Sequence, residues 1–467
     1  EVKRGVLLAA IAAMGLVGSA SATTYYVAKG GDDGNDGSSE HPFASVSKGL
    51  EAAAAGDTVV VGEGTWEFAG SMTLSKAITL RGSGDRETVF TGGDGTMALL
   101  TLNKTGLVVE NLTVSDCQIT GATASIWQYP PAGVEIKAGW LKNCTVRNCQ
   151  PKDPSNNNAS AVRLTGSTPG KMSDCAITNN LCGLTQASYG AVCVGSDQAI
   201  VENCEIAWNR GRAAVGLFIT KNGTVTGCNI HDNRALTADE MAFKTVGNGA
   251  GVRIDGGTLK NSFVTNNVTA GAGGGIWARG GTIENCVIAN NTAAGNGGGI
   301  IANAGTTGVR FCNIGGNTCG GSATGAGVSC ENATLNCIND IIYGNFAPTA
   351  DKELNGGTYS YCYLPVEKSG AGNIKGSASP FQADGSYLTV TSAAFPGVDK
   401  ATEIDEVTTD ILGRTRPIVG ITAAKSDIGC CEFDPSALDA TVTLTASAAE
   451  IAVGGELTFT LEAEGFG

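Results

Sequence analysis

The chain has 467 residues, a net charge of −14 and 68 glycines without an every-third-residue pattern, which excludes collagen and favours a turn-dense fold. Aromatic residues make up only 6 %, too few for a large conventional globular core, so 16 cysteines must share the interior with small aliphatic side chains. The acidic balance excludes nucleic acid as a partner, because a polyanion requires a basic stripe.

Lys3 and Arg4, the apolar run Gly5–Val17 and the segment Ser19-Ala20-Ser21-Ala22 have the layout of a secretory signal over residues 1–22. The run is shorter than the ~20 apolar residues of a spanning helix, and no later segment could span a membrane. Secretion or display on a bacterial cell surface is the expected location. Tyr25–Phe68 reads as a leading module: a short strand, a polar loop, a helix over 44–55 and a strand over Asp57–Val61. Val46, Leu50 and Ala53 share one face of that helix, which suits it to cover the open end of a β stack. The loop Gly31–Gly37 offers Asp32, Asp33, Asn35 and Asp36, hard oxygen donors that make Ca²⁺ the one candidate cofactor. The same residues also make an ordinary Asp/Gly turn, and the twelfth position from Asp32 is Phe43, so this is no EF-hand.

From about Val108 to Glu367 one template repeats: apolar, x, x, Cys, x, apolar, x, x, Asn. It fits MSDCAITNN from Met172, VENCEIAWN from Val201 and IENCVIANN from Ile283. The fourth position reads Cys144, Cys175, Cys204, Cys228, Ser262, Cys286, Cys312, Asp340 and Cys362, with members 22 (340 to 362) to 34 (228 to 262) residues apart. Each strand returns in one direction after a long excursion, one coil of a three-sided solenoid each time, and its period-2 alternation buries one face. The Cys column is expected to stack at roughly 4.7–4.9 Å per rung as a ladder of small buried thiols, few of them paired. The last position forms a second column, Asn180, Asn209, Asn233, Asn267, Asn291, Asn317 and Asn345. Asparagine tolerates the left-handed conformation of a corner and its amide can bond a stacked neighbour, so this column is also structural.

Particular residues carry a family resemblance. Tyr26-Val27, Gly34-Asn35-Asp36-Gly37, Pro42-Phe43, Gly56-Asp57-Thr58-Val59, Gly64-Thr65 and then Ile78-Thr79-Leu80-Arg81-Gly82 resemble the start of secreted bacterial right-handed parallel β-helix proteins of the pectate-lyase-like superfamily. The runs Asn266–Ile276 and Asn290–Ile300 resemble the repeats of chlamydial-type polymorphic outer-membrane proteins. Asp410-Ile411-Leu412-Gly413-Arg414-Thr415-Arg416-Pro417 followed by Asp427-Ile428-Gly429-Cys430-Cys431-Glu432 resembles the closing motif of such β-helix proteins, with Cys430 where alanine is usual. In that family an anchoring segment often follows. The resemblance implies an all-β, single-stranded right-handed parallel β-helix over 23–433, with a capping helix at 44–55, regular coils over 108–367 and a closing segment over 368–433. A linker, 434–440, then leads to 441–467, whose alternation is similar to the first strands of a truncated immunoglobulin-like module.

The strands that follow each glycine turn align on a second template. Its outward row holds Glu135, Arg163, Cys193, Phe218, Arg253, Trp277, Ile301 and Ser329; the next holds Lys137, Thr165, Gly195, Thr220, Asp255, Arg279, Asn303 and Glu331. Arg253, Asp255, Trp277 and Arg279 thus meet on adjacent coils, where an indole can stack on a pyranose and the charges can bind hydroxyls or carboxylates. The alternative is an ordinary solvated face. Arg253 and Asp255 are the candidate catalytic residues. The acidic cluster and Arg-x-Pro-x-x-Arg element of pectate lyases, and the paired carboxylates of a hydrolase, are not found in the sequence. His231 reads as a surface residue and His41 belongs to the leading loop. The leading expectation is a monomeric adhesion or polysaccharide-binding protein whose partner is a polysaccharide or surface glycan. A lyase or hydrolase acting on acidic polysaccharide is the alternative and a structural scaffold the third, since this fold hosts many functions. The sequence does not decide whether the chain is an enzyme.

Overall fold

The computed structural model describes residues 21–84, 87–120, 131–152, 160–183, 189–237, 247–347, 352–381, 387, 395–417, 425–433, 441–446 and 459–464. Of the expected signal, residues 1–20 lie outside this set, as does the whole linker 434–440.

One coil shows how the sequence makes the fold. Val162–Leu164 forms a strand on the face we term a, Gly170–Ser173 one on face b, and Ala176–Thr178 one on face c. Each pairs in parallel with its equivalent one coil on: Val162 with Val192, Met172 with Val201, Ile177 with Ile206. Strands of faces a and b merge into a 22-stranded sheet, face c is 13-stranded, and a short fourth stack of five strands runs beside it. Val192, Val201 and Ile206 are fully buried, as are their counterparts along each stack, so three aliphatic ladders line the bore. Shape is thus fixed by small β-branched residues repeating at one side-chain position per rung. No helix among the described residues is long and apolar enough to cross a membrane.

The stack reaches beyond the regular coils expected at 108–367. Thr24–Val27 already pairs with Thr58–Val61, and Thr58–Val61 with Thr79–Gly82, while face c continues to Ile374–Lys375. The helix α1 (Val46–Ala52) is shorter than 44–55. Its start is fixed by the Ser45 hydroxyl, which accepts from Lys48 N at 3.2 Å. Its end is fixed by Lys76 Nζ, which donates to the carbonyls of Leu50, Glu51 and Ala53 at 2.8, 3.0 and 2.7 Å. Val46 joins Val27, Phe43 and Val59 in the core at the first rung. At the other end, Thr441–Ala446 and Phe459–Glu464 form an antiparallel pair.

The corners correct the expectation for asparagine. The left-handed residue is the one before each ladder position: Asn179, Asp232, Asn266 and Asn290 have φ of 56°, 52°, 56° and 56°, whereas Asn180, Asn233, Asn267 and Asn291 do not adopt it. A second left-handed corner precedes each position of the cysteine column, at Asn143, Asp174, Asn203, Gly227, Asn261, Asn285, Phe311, Asn339 and Tyr361. Freed from the corner, the ladder amides turn inward. The Nδ2 of Asn180, Asn209, Asn233, Asn267 and Asn291 each donates to the next Oδ1 at 3.0 Å. Their second hydrogens go to carbonyls of the preceding coil, such as Ile177 and Ile206. The column also extends past the asparagines: Cys149 N donates to Asn180 Oδ1 at 2.9 Å, and Asn345 Nδ2 donates to Glu353 Oε1 at 2.8 Å.

All sixteen cysteines are free thiols, and Cys330 alone is not fully buried. Ladder thiols donate to the carbonyl two residues back, Cys175 to Ser173 at 3.0 Å and Cys286 to Glu284 at 3.1 Å. Burial pushes Cys144 up to about 12, which makes it a poor nucleophile. Ser262 copies the pattern, donating to Lys260 O at 2.7 Å and accepting from Cys228 N at 3.1 Å. Asp340 does not. Its Oδ1 accepts from Cys312 N at 2.7 Å, but Oδ2 is buried without a partner, and burial raises the carboxyl well above its ordinary 3.8. A raised folded value means that the native state holds a proton the unfolded chain releases. Stability is therefore lost as pH climbs from near 3.8 towards that folded value, at no more than about 1.4 kcal/mol per pH unit. Asp340→Ser is expected to abolish that slope and to gain about 1–3 kcal/mol at neutral pH, read by urea denaturation from acid to neutral pH.

The segment after the last rung turns back and lies along the outside of face c. Phe381, Phe395, Val407 and Ile428 pack on Phe311, Ile341 and Tyr363, and Cys430, Cys431 and Ile411 pack on Val287 and Ala289. Corner and face asparagines of the coils hold it. Asn285 Nδ2 donates to Thr409 O at 2.6 Å, Asn313 Oδ1 accepts from Cys430 N at 3.0 Å, and Asn339 exchanges two bonds with Thr402 at 2.8 and 2.9 Å. Within the strap, Asp410 accepts from Arg414 Nε at 2.7 Å and Glu432 N at 3.0 Å, and Arg416 pairs with Glu432.

Candidate functional site

Face a brings together the residues singled out from the sequence. Glu135 pairs in register with Arg163, Arg163 with Cys193, Cys193 with Phe218, Phe218 with Arg253, Arg253 with Trp277 and Trp277 with Ile301. The row is in order but mostly covered. Arg163, Cys193, Phe218, Ile301 and Ser329 are 7, 1, 2, 2 and 0 % exposed, so these residues of the outward row are covered rather than solvated. Two features cover them. Tyr189, from the connection into the a strand, packs with Cys193 and Phe218. The glycine turns also fold back over the row: Gly297, at φ 71°, lies so close that a Cβ there would sit 2.6 Å from that of Ile301. Gly299 serves the ladder, because a Cβ would meet Asn317 Nδ2 at 2.9 Å.

What remains open is the patch around Arg253, Trp277 and Arg279. The Arg253 guanidinium lies between two rings, 4.6 Å from Phe218 and 4.8 Å from Trp277. Its Nε donates to Asp255 Oδ1 at 3.0 Å and its Nη2 to Oδ2, a two-pronged pair. Arg279 Nη1 stands 3.6 Å from Asp255 Oδ2 and keeps 44 % of its side chain exposed. The column continues behind, with Tyr189 stacked on Phe218 at 5.8 Å and Arg163 5.4 Å from the Tyr189 ring.

This geometry limits the chemistry. Arg253 meets Asp255 through one edge of its guanidinium, Nε and Nη2, and its faces sit on two rings, so the two candidate catalytic residues stand as an ion pair in this structure. The neighbouring carboxylates are also engaged, Glu135 by Thr165 Oγ1 at 3.0 Å and Lys137 at 3.2 Å, and Glu331 by Asn296. Trp277 and Arg279 form the accessible edge. Tyr189, Phe218 and Arg163 complete the column. Phe218 and Arg163 were visible in the row, whereas Tyr189 carries no periodic signal because it lies on a connection.

The leading loop does not gather its oxygens. Asp33 accepts from Ala44 N at 2.9 Å, Ser45 N at 2.8 Å and Ser45 Oγ at 2.7 Å, tying the loop to the start of α1. Asp32 accepts from Gly34 N at 2.8 Å, Asp36 from Ser38 N at 2.9 Å, and Asn35 Nδ2 donates to Pro42 O at 2.9 Å. In this structure the four candidate Ca²⁺ donors Asp32, Asp33, Asn35 and Asp36 are engaged in hydrogen bonds of the turn, and among the described residues no group of three or more His, Cys, Asp or Glu is arranged to hold a metal ion. A cleft unmarked in the sequence, lined by Asp94, Asp116, Gln118, Thr120 and Lys152, lies near the N-terminal coils. Hydrogen bonds from Thr96 hold Asp94 below the usual carboxylate range.

Among solved structures, pectate lyase Pel9A is 14 % identical with a TM-score of 0.44, over 89 % of this chain and 98 % of that one. XylC in complex with xylose is 10 % identical with a TM-score of 0.44, over 87 % and 98 %. A rhamnogalacturonan lyase is 13 % identical with a TM-score of 0.35, over 74 % and 88 %. No curated protein matches the chain in sequence. Residues 100–339 match the family described as "Right handed beta helix region", more than half of the chain, and the chain belongs to that family.

Proposed function

We propose that this is a secreted or cell-surface β-helix protein that binds acidic polysaccharide along face a and acts in adhesion rather than turnover. The observation that carries this reading is the closed Arg253–Asp255 pair between Phe218 and Trp277, with Arg279 left open beside it. The pair fixes the indole and spends the groups a lyase would use as a base. The exposed guanidinium of Arg279 can take a uronate carboxylate in two-pronged fashion while the free edge of Trp277 contacts the ring. On a chain of net charge −14, the exposed guanidinium of Arg279 is the charge on this face that opposes the overall repulsion of a polyanion locally.

Affinity electrophoresis in polygalacturonate and in alginate gels tests the proposal. Arg279→Ala and Trp277→Ala are each expected to weaken binding about tenfold, equivalent to about 1.4 kcal/mol. Binding unchanged by both substitutions rejects the face. Release of unsaturated uronide ends, lost in Arg253→Ala, would instead make the protein a lyase.

A further inference from the structure

The corner column before the asparagine ladder has one member out of keeping. Asn148, Asn179, Asp232, Asn266 and Asn290 adopt the left-handed conformation, as do Gly316 and Gly344 further along, and all are residue types that tolerate it. Between Asn179 and Asp232 stands Trp208, at φ 55° and 47 % exposed. A bulky residue in this region is disfavoured; Phe311, at the other corner, also adopts it at φ 54° but is buried under the strap, so Trp208 is set apart by its exposure.

The surroundings of Trp208 point to a ligand. Its ring meets His231 edge-on with centroids 5.0 Å apart. His231 Nδ1 lies 2.7 Å from Asp232 Oδ2 and Nε2 lies 3.2 Å from Glu205 Oε1, so the imidazole ties the two carboxylates beside the indole. The carboxylates remain open, at 42 % exposure for Glu205 and 41 % for Asp232. All four residues sit on face c or its corner, and the returning strap is packed on that face from the Phe263 coil onward. The sequence reading of His231 as a surface residue missed this cluster because Trp208 and Glu205 lie a full coil earlier in the chain.

We propose that Trp208, His231, Glu205 and Asp232 form a second saccharide platform, on face c, that takes a neutral pyranose. The indole presents an apolar surface to the C–H face of the ring, and carboxylate oxygens beside it accept from vicinal hydroxyls while repelling a uronate. The site differs from face a in both position and ligand: neutral oligosaccharide reads this one and polygalacturonate the other, so either can fail alone.

The test is calorimetric titration of the full chain with cello-, xylo- and manno-hexaose, alongside thermal unfolding. At least one of these ligands is expected to bind. Trp208→Asn, which installs the residue used at the neighbouring corners, should weaken that binding at least tenfold while leaving Tm unchanged or raised by about 1–2 °C. Glu205→Gln should weaken it several-fold without unfolding the protein. The proposal is overturned if none of the three binds, if Trp208→Asn binds as well as the parent, or if that substitution lowers Tm, which would make the indole a packing residue.

Discussion

Replacing Asn267 with alanine is expected to cost about 3–5 kcal/mol, as the loss of several buried hydrogen-bond partners at once. Asn267 Oδ1 accepts from both Asn233 N and Asn233 Nδ2 at 3.0 Å, and its Nδ2 donates to Asn291 Oδ1 and Ile230 O at 3.0 Å. Alanine leaves two donors of the preceding rung and the Ile230 carbonyl facing an apolar gap. A lone buried amide would be a liability; here every amide is satisfied by its neighbours, so the column is strong only while unbroken. The left-handed neighbour offers the control. Asn266→Gly keeps the corner and touches no ladder bond, and should stay within about 1 kcal/mol of the parent. Urea denaturation of the two variants checks both values. Near-equal stability would mean that the amide column contributes little.

Glu432→Ala is expected to release the strap from face c at a cost of about 3–5 kcal/mol, because it leaves Arg416 buried and uncompensated. The Arg416 and Glu432 side chains are 1 % and 3 % exposed. Arg416 also donates to Gly429 O at 2.8 Å and Asn285 Oδ1 at 3.1 Å, and its guanidinium lies 4.2 Å from the Phe311 ring. The pair therefore links the end of the strap to its middle and to a coil more than a hundred residues earlier. Burial outweighs the opposing pull of Arg416 and leaves Glu432 raised to about 7. Alkylation of Cys430 and Cys431, 0 and 1 % exposed in the docked form, should become rapid in Glu432→Ala. The double variant Arg416→Met with Glu432→Leu should regain most of the loss, since an apolar pair of similar size avoids the buried charge. Slow alkylation in the single variant would show that the apolar contacts hold the strap alone.

The two column devices were legible for different reasons. Cys175, Cys204 and Cys228 recur at one position of a short template, and an interior this narrow admits only small side chains there. The asparagine column was equally visible, but its role was assigned to the corner; the corner belongs to Asn179 and Asn266, one residue earlier, and the amides do their work inside. The row Arg163, Phe218, Arg253 and Trp277 was read in the correct order and wrong exposure. Alternation reports which side of a strand a residue occupies. It cannot report that Tyr189 and the turn at Gly297 come back over the outer side.

By itself the sequence determined the coil, its parallel direction, its aliphatic lining and its two ladders, because each depends on a pattern that recurs within a few residues and is repeated many times. Only the tertiary structure decided what happens between coils and outside them: Arg253 locked between two rings by Asp255, the strap pinned along face c by Arg416 and three asparagines, and Trp208 held at a strained corner beside His231. These depend on residues brought together by the pitch of the solenoid or by the return of a distant segment. Such contacts obey no local period.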